Sequence, residues 1–468
     1  VWAEEPIILP EKIILGEDKA SIESQPSLTL PSPEKEIPPI STRGIITEET
    51  FLLKSCFLFG EDKRRLIHLT GGEVSLFPHL DLFYEESDGW RPDSKFKTFS
   101  VLLPFSLSSS EYKITFSPEY FQKRMELPGM EGISSLGKRR NSQNRFSFKL
   151  EKNEKMELSI SGERAKVKNS LLPSSEAKYG NFSFLLHQDE YSFFLEAEGE
   201  ELKDAYHRNL FGLGIGKKTE INPSLNLRTS LFVKKGKEIN ARLLPSASLS
   251  YRLGDNNYFL NLSSTLSYPR FSDLYLKENW SKVNEERLRE ERRRKVEAGF
   301  RHNFSKGSIL IAGFGEEDKD RFIWNLNSGL YEPVNLKRAI SYGARTELSY
   351  NLPYLWVELD WTKRNIESKD IFFKEVPDFP EEEGSLKLTF PYLSPFLFQL
   401  SLDYQGKRFS GGEELSSSIV GGAEISYNFS KRGRAFLEIE NLNNESYYLK
   451  KGYPAAGRKF YAGLELCF

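Results

Sequence analysis

The sequence predicts an all-β protein, a transmembrane antiparallel β-barrel of about 22 strands with short periplasmic turns and longer extracellular loops. Three observations carry that expectation. The chain ends on Phe460, Ala462, Leu464, Leu466 and Phe468, which share one face of a period-two strand, while Tyr461, Gly463, Glu465 and Cys467 share the other. Segments of roughly ten residues with alternating polarity recur from about Phe51 onward, separated by turn signals. Finally, short connections alternate with long ones, which separates two ends of a barrel.

The alternation is plain along the chain. Phe193, Leu195 and Ala197 interleave with Glu196, Glu198 and Glu200, and Leu355, Val357, Leu359 and Trp361 with Trp356, Glu358 and Asp360. Phe396, Phe398, Leu400 and Leu402 interleave with Ser401 and Asp403, and Ile419, Gly421, Ala423 and Ile425 with Glu424 and Ser426. In each case the acids and amides fall on one face. A soluble sandwich also alternates, with its apolar face inside; the aromatic ending and the loop asymmetry favour lipid outside. The short connections include Ser108–Ser110, Asp255–Asn257, Ser305–Gly307 and Lys431–Gly433. The long ones run over 126–144, 271–290, 371–383 and 449–457. The charged run Asn284–Arg294 reads either as a short helix with i,i+4 pairs or as a loop descending into a strand that begins near Lys295, and the loop is preferred.

Composition narrows the class. The chain has 468 residues, 65 Lys+Arg against 67 Asp+Glu, and a net charge of -2, without the basic surplus that a general nucleic-acid binder needs. Mean hydropathy is -0.50, and no apolar run approaches the ~20 residues of a spanning helix. Barrel strands escape such a scan because half of each faces the lumen. Residues 1–3 suit the remnant of a signal peptide. Residues 4–48 form a proline-rich segment that cannot build a core, expected to be a periplasmic arm. Within it Ile7, Ile8, Leu9, Ile13 and Ile14 are a candidate strand for a partner's sheet, or equally an idle linker. Residues 49–468 are expected to be the barrel.

The closing residues resemble a known family. Asn441-Leu442-Asn443-Asn444-Glu445-Ser446-Tyr447-Tyr448, then Gly452-Tyr453-Pro454 and Gly457-Arg458-Lys459-Phe460, resemble the last hairpin of TonB-dependent outer-membrane receptors. Ser267–Tyr275, Glu297–Phe300 and Glu86–Arg91 resemble weaker features of the same barrel. The resemblance spans roughly residues 70–468 and implies residence in the outer membrane of a Gram-negative bacterium. It also implies contact with outer-membrane lipid and lipopolysaccharide, and insertion by the barrel-assembly machinery, for which Phe460, Leu464, Leu466 and Phe468 would be the C-terminal signal. That family carries a folded plug of well over a hundred residues ahead of the barrel. Only about fifty residues precede the first strand here, so a plug is expected to be absent. Glu11–Gly16 resembles the box that recruits the energising partner, a box with little purpose without a plug.

No catalytic constellation stands out. His68, His79, His187, His207 and His302 are scattered, and neither they nor the two cysteines show metal-ligand spacing. No cofactor, metal or enzymatic activity is expected. The glycines of Gly212-Leu213-Gly214-Ile215-Gly216 are read as relief of curvature or room for a packed loop, not as a phosphate cradle. Alternation puts Cys56 and Cys467 on the lumen face of the first and last strands, which are neighbours in a closed barrel. They are therefore candidates for a seam disulfide, with two free thiols as the competing reading. Glu196, Glu198, Glu358, Asp360, Asp403 and Glu424 are candidate lumen-lining acids that would favour cations or polar solutes, or simply pair with lumen Arg and Lys. Three functional readings follow. The first is a pore or transport channel for polar solutes, possessing either an open lumen or a plug from another chain. The second is a scaffold that binds a partner through the arm and loops. The third, least favoured on length, is an energised uptake receptor with a reduced plug.

Overall fold

The computed structural model describes residues 52–467, apart from 61–62, 73–79, 90–93, 128–129, 131–136, 154, 172–173, 203–205, 237–240, 268–270, 272–287, 328, 371–372, 392–394 and 431. Strands dominate it, and each spanning strand pairs antiparallel with its neighbours in chain order. The first strand, Leu52–Gly60, pairs with both Arg65–Gly72 and the last strand, Lys459–Cys467, so the sheet closes on itself. Closure leaves no raw edge, as a sheet in hydrocarbon requires.

The count is 22 spanning strands once one interruption is recognised. Phe96–Leu102 and Phe105–Ser108 both pair with the single strand Tyr112–Glu126 and form one spanning strand. The break falls at Leu103-Pro104, where proline has no N–H to give the ladder. Two short hairpins, Arg408–Ser410 with Glu413–Leu415 and Tyr448–Lys450 with Tyr453–Pro454, sit in connections outside the barrel sheet.

Turn chemistry fixes the tight end. Asp189, with φ 53°, and Gly254, with φ 58°, supply the left-handed backbone that two-residue hairpins demand. The opposite end carries the longer connections and the longest hairpin, Gly307–Asn327 with Leu330–Asn351. At 21 and 22 residues these strands exceed the ~9–11 that cross a bilayer, so they stand clear of it on the outside.

Burial follows the period-two rule. Phe211, Leu213 and Ile215 point outward, as do Leu243, Leu402 and Phe460. Close to the tight turns the outer face carries aromatic pairs, with Phe396 5.0 Å from Tyr427 and Tyr251 6.4 Å from Tyr258. These mark the periplasmic interface girdle. The charged run differs from expectation at one point. The strand starts at Glu291, so Arg292, Arg293 and Arg294 belong to it. Arg293 faces the lumen opposite Asp318, and that cross-strand pair makes so charged a stretch tolerable in a sheet. Residues 284–287 of the run lie outside the described residues, as does the whole arm, including Ile7, Ile8, Leu9, Ile13 and Ile14.

Candidate functional site

The lumen wall is a lattice of charge. Lys234 stands between Glu196, at 3.3 Å, and Glu198, at 2.5 Å, and all three are nearly fully buried. Glu200 pairs with Arg208 and accepts the backbone N–H of Phe271 at 3.0 Å. Three strands on from Lys234, Arg293 meets Glu291 at 3.0 Å, Glu316 at 3.3 Å and Asp318 at 2.9 Å, and Arg321 also binds Asp318. Below them Arg345 bridges Glu297 at 2.7 Å and Glu347 at 3.1 Å. Glu424 pairs with Arg434, which reaches Glu465 at 3.7 Å.

The predicted acids thus separate into two kinds. Glu196, Glu198 and Glu424 are ion-paired in the wall. Glu358 and Asp360 are exposed to the lumen, lying opposite Lys387 and Ser385 on the next strand. Asp403 lies opposite Ser385 from the other side.

The seam is held by a second network. Arg64 binds Glu85 through Nε at 2.8 Å and donates to the Tyr461 hydroxyl at 3.0 Å, and that hydroxyl donates to Glu440 at 2.9 Å. Nearby His68 Nε2 lies 3.1 Å from Asp81, both buried. Sequence reasoning passed over this pair, because the histidine and its carboxylate are thirteen residues apart on different strands. The only hint was that His68 falls on the lumen face.

The two cysteines are brought to the same seam but not opposite one another. Cys56 pairs in register with Glu465, and Cys467 with Lys54. Such diagonal neighbours are ~7–8 Å apart, beyond the roughly 4.4–6.8 Å that a disulfide usually spans. A bond would require the seam to shift. Labelling of denatured, unreduced protein is expected to titrate two thiols; a labelled product that appears only after reduction would restore the bond. Of the C-terminal signal, Phe460 points outward, Leu464 and Leu466 are half-buried, and Phe468 lies outside the described residues.

The glycine-rich strand has a clear local cause. Gly212 and Gly214 face the lumen, and the buried Phe232 ring of the next strand lies flat over both. A Cβ at either position would run into that ring. Gly212→Ala is therefore expected to destabilise the barrel by about 1–3 kcal/mol, as overpacking does. A thermal melt in detergent reads it, and Phe232→Leu in the same chain should recover most of the loss.

Above the wall, connections fold over the outer mouth. The Tyr331 hydroxyl lies 3.1 Å from Ser410 and donates to the Lys451 carbonyl at 3.2 Å, while Tyr453 donates to the Gly329 carbonyl at 2.5 Å. Arg408 donates to the carbonyls of Tyr448 and Leu449, and Lys450 pairs with Asp378. Met130, from a connection far around the ring, packs on Gly452. Phe271 turns inward onto Ala165, Val167, Ala177 and Leu202, which lie four to six strands back around the ring. The Asn-Leu turn of the closing hairpin is explained too. Asn441, at φ 48°, donates to the carbonyls of Glu445 and Ala456 and accepts the Glu445 N–H.

A closed antiparallel barrel, apolar outside and charged within, with tight turns at one end and interlocked connections at the other, defines an outer-membrane β-barrel of the Gram-negative envelope. The sequence model of the TonB dependent receptor-like β-barrel family matches residues 208–442, half of the chain, and the chain belongs to that family. Among solved structures it is similar to the copper transporter OprC, with TM-score 0.70 and 12% identity over 90% of this chain and 83% of that one. It is similar to the FrpB iron transporter from Neisseria meningitidis, with TM-score 0.73 and 13% identity over 90% and 82%. A mutant of the ferric enterobactin receptor PfeA from Pseudomonas aeruginosa gives TM-score 0.67 and 13% identity over 89% and 80%. At such identities the likeness is one of fold. No curated protein matches the chain.

Proposed function

We propose that the barrel is a transport channel that carries polar solutes across the outer membrane, with the lumen as the path. The observation that supports this most is the series of ion pairs on the inward face, from Glu196–Lys234 round to Arg434–Glu465, inside a wall that is apolar without. Such a lining interacts with hydrated solutes and has no use in a solid core.

The purified protein in planar bilayers tests the reading, as the full chain and as the chain without residues 4–48. Stepwise currents from either carry it. If neither conducts and neither lets a polar solute into liposomes, the channel is overturned. The folded outer cap favours one further role. Interlocked connections such as Tyr331–Ser410 and Lys450–Asp378 present a defined outer surface, suited to a binding partner. Co-purification of a stoichiometric surface partner, lost on breaking that cap, would support the scaffold role.

A further inference from the structure

A row of cations crosses the outside of the barrel near its outer end. The register aligns Lys97, Arg124, Arg140 and Lys168 side by side on four successive spanning strands. All four are exposed, and alternation puts them on the same face as the exposed apolar side chains Phe99, Phe146 and Ile160. Lys97 pairs with Glu86 at 2.6 Å. Among the described residues no carboxylate pairs with Arg124, Arg140 or Lys168, and Arg124 donates to the Gln122 side chain at 3.2 Å. Cations nearer the bilayer on that face are neutralised, Arg164 and Lys166 by Glu176 at 2.6 and 3.0 Å, and Lys178 by Glu201 at 3.3 Å. Like charges directly opposite one another destabilise a sheet, so the row calls for an anion from outside the chain. The feature belongs to one sector, since the outward faces of Phe396–Gln405, Ser418–Ser430 and Gly433–Glu440 carry no lysine or arginine.

From this row we infer that the strands from Phe96–Leu102 to Met156–Asn169 hold a phosphorylated glycolipid of the outer leaflet, the phosphates of its sugar headgroup standing where carboxylates are missing. Height selects that class of lipid. Phe99 and Tyr120, whose rings lie 6.3 Å apart, mark the outer edge of the apolar face. Toward the outer end, Lys97 lies two residues beyond Phe99, Arg124 four beyond Tyr120, Arg140 six beyond Phe146 and Lys168 eight beyond Ile160. At about 3.4 Å per residue and a tilt of roughly 45°, the row climbs from about 5 to about 19 Å above that edge. The polar layer of a simple phospholipid leaflet is only about 5–7 Å deep, so its headgroup stops short of Arg140 and Lys168. A sugar headgroup with phosphates at more than one level reaches them. Arginine meets phosphate with two parallel N–H bonds and lysine meets it as a point charge. The site lies outside the lumen, so it stands whether or not the barrel conducts.

Direct titration tests the site. The full chain in uncharged detergent is titrated with lipopolysaccharide bearing phosphorylated core sugars, with the same glycolipid after phosphatase treatment, with phosphatidylglycerol and with heparin. At about fivefold per surface cation, Arg124→Gln with Arg140→Gln and Lys168→Gln should bind the phosphorylated glycolipid about a hundredfold more weakly than the wild type, and Arg140→Gln alone about fivefold. Heat-modifiable migration checks that each variant is folded. Arg338→Gln with Lys363→Gln removes two outward cations that already pair with Glu317 at 2.8 Å and Glu382 at 2.6 Å, and should leave the affinity unchanged. Phosphatase treatment should weaken binding to the wild type and leave the triple variant unaffected. Equal affinity of the wild type and the triple variant overturns the inference, as does an equal loss in the paired-cation control. Phosphatidylglycerol bound as tightly as the glycolipid would overturn the sugar headgroup. Heparin bound as tightly, and lost in the triple variant, would make the row a dock for a soluble polyanion and overturn the lipid.

Discussion

Lys234→Met is expected to be among the most damaging single changes in this barrel. The ammonium is the shared partner of Glu196 and Glu198, two carboxylates on the same face of one strand, and all three side chains are nearly fully buried. Removing it leaves like charges together in a poorly solvated wall. Breaking a buried ion pair from one side costs about 3–5 kcal/mol, and here two acids lose their partner. The measurement is the unfolding midpoint of detergent-solubilised barrel, in denaturant or by heat-modifiable migration. The triple variant with Glu196→Gln and Glu198→Gln should regain most of the loss, because the charges that needed the lysine are gone. If Lys234→Met alone melts like the wild type, the pairing described for the wall is wrong.

Arg64→Ala is the second large effect, and it acts on closure. The guanidinium ties Glu85 on the third strand to Tyr461 on the last, and its carbon lies 5.0 Å from the centre of the tyrosine ring. Glu85 is fully buried, so it would be left charged and partly unpaired, again at about 3–5 kcal/mol. The seam joins the two strands furthest apart in sequence, so this loss should show as an open-seamed species. The expected signature is faster proteolysis of the first and last strands, with the central strands retained. Arg64→Lys should rescue only part, because an ammonium cannot fork to a carboxylate and a phenol as a guanidinium does. Uniform loss of all strands would place the contribution elsewhere than the seam.

Much of this architecture is legible in the chain because lipid and water impose it residue by residue. Phe211, Leu213 and Ile215 must meet hydrocarbon, so their spacing gives the strand and its outward face without knowledge of any neighbour. The alternation of Ser108–Ser110 and Ser305–Gly307 with long connections gives the polarity of the barrel in the same local way. The wall chemistry is a different matter. Which arginine meets which acid depends on register between strands, and register is fixed only when the whole ring closes. Arg64 and Tyr461 are 397 residues apart, and nothing in either stretch announces the other. The Glu196–Lys234–Glu198 cluster likewise spans a hairpin and a third strand. The glycines at 212 and 214 were legible as special, but the ring of Phe232 that explains them comes from the next strand. The inward turn of Phe271 and the strand start at Glu291 were hidden in a charged, loop-like stretch, where polarity no longer distinguishes an inner face from open water.

The pairing of Leu52–Gly60 with Lys459–Cys467 has a consequence for how the molecule is made. The earliest barrel residues to leave a ribosome pair on one edge with the strand that follows them, but find the partner for their other edge only among the last. Until synthesis and export are finished, two rows of unsatisfied amides stay available to any passing strand. A nascent polypeptide cut short before Lys459 would have no way to seal itself, and would be left to chaperones or to aggregation.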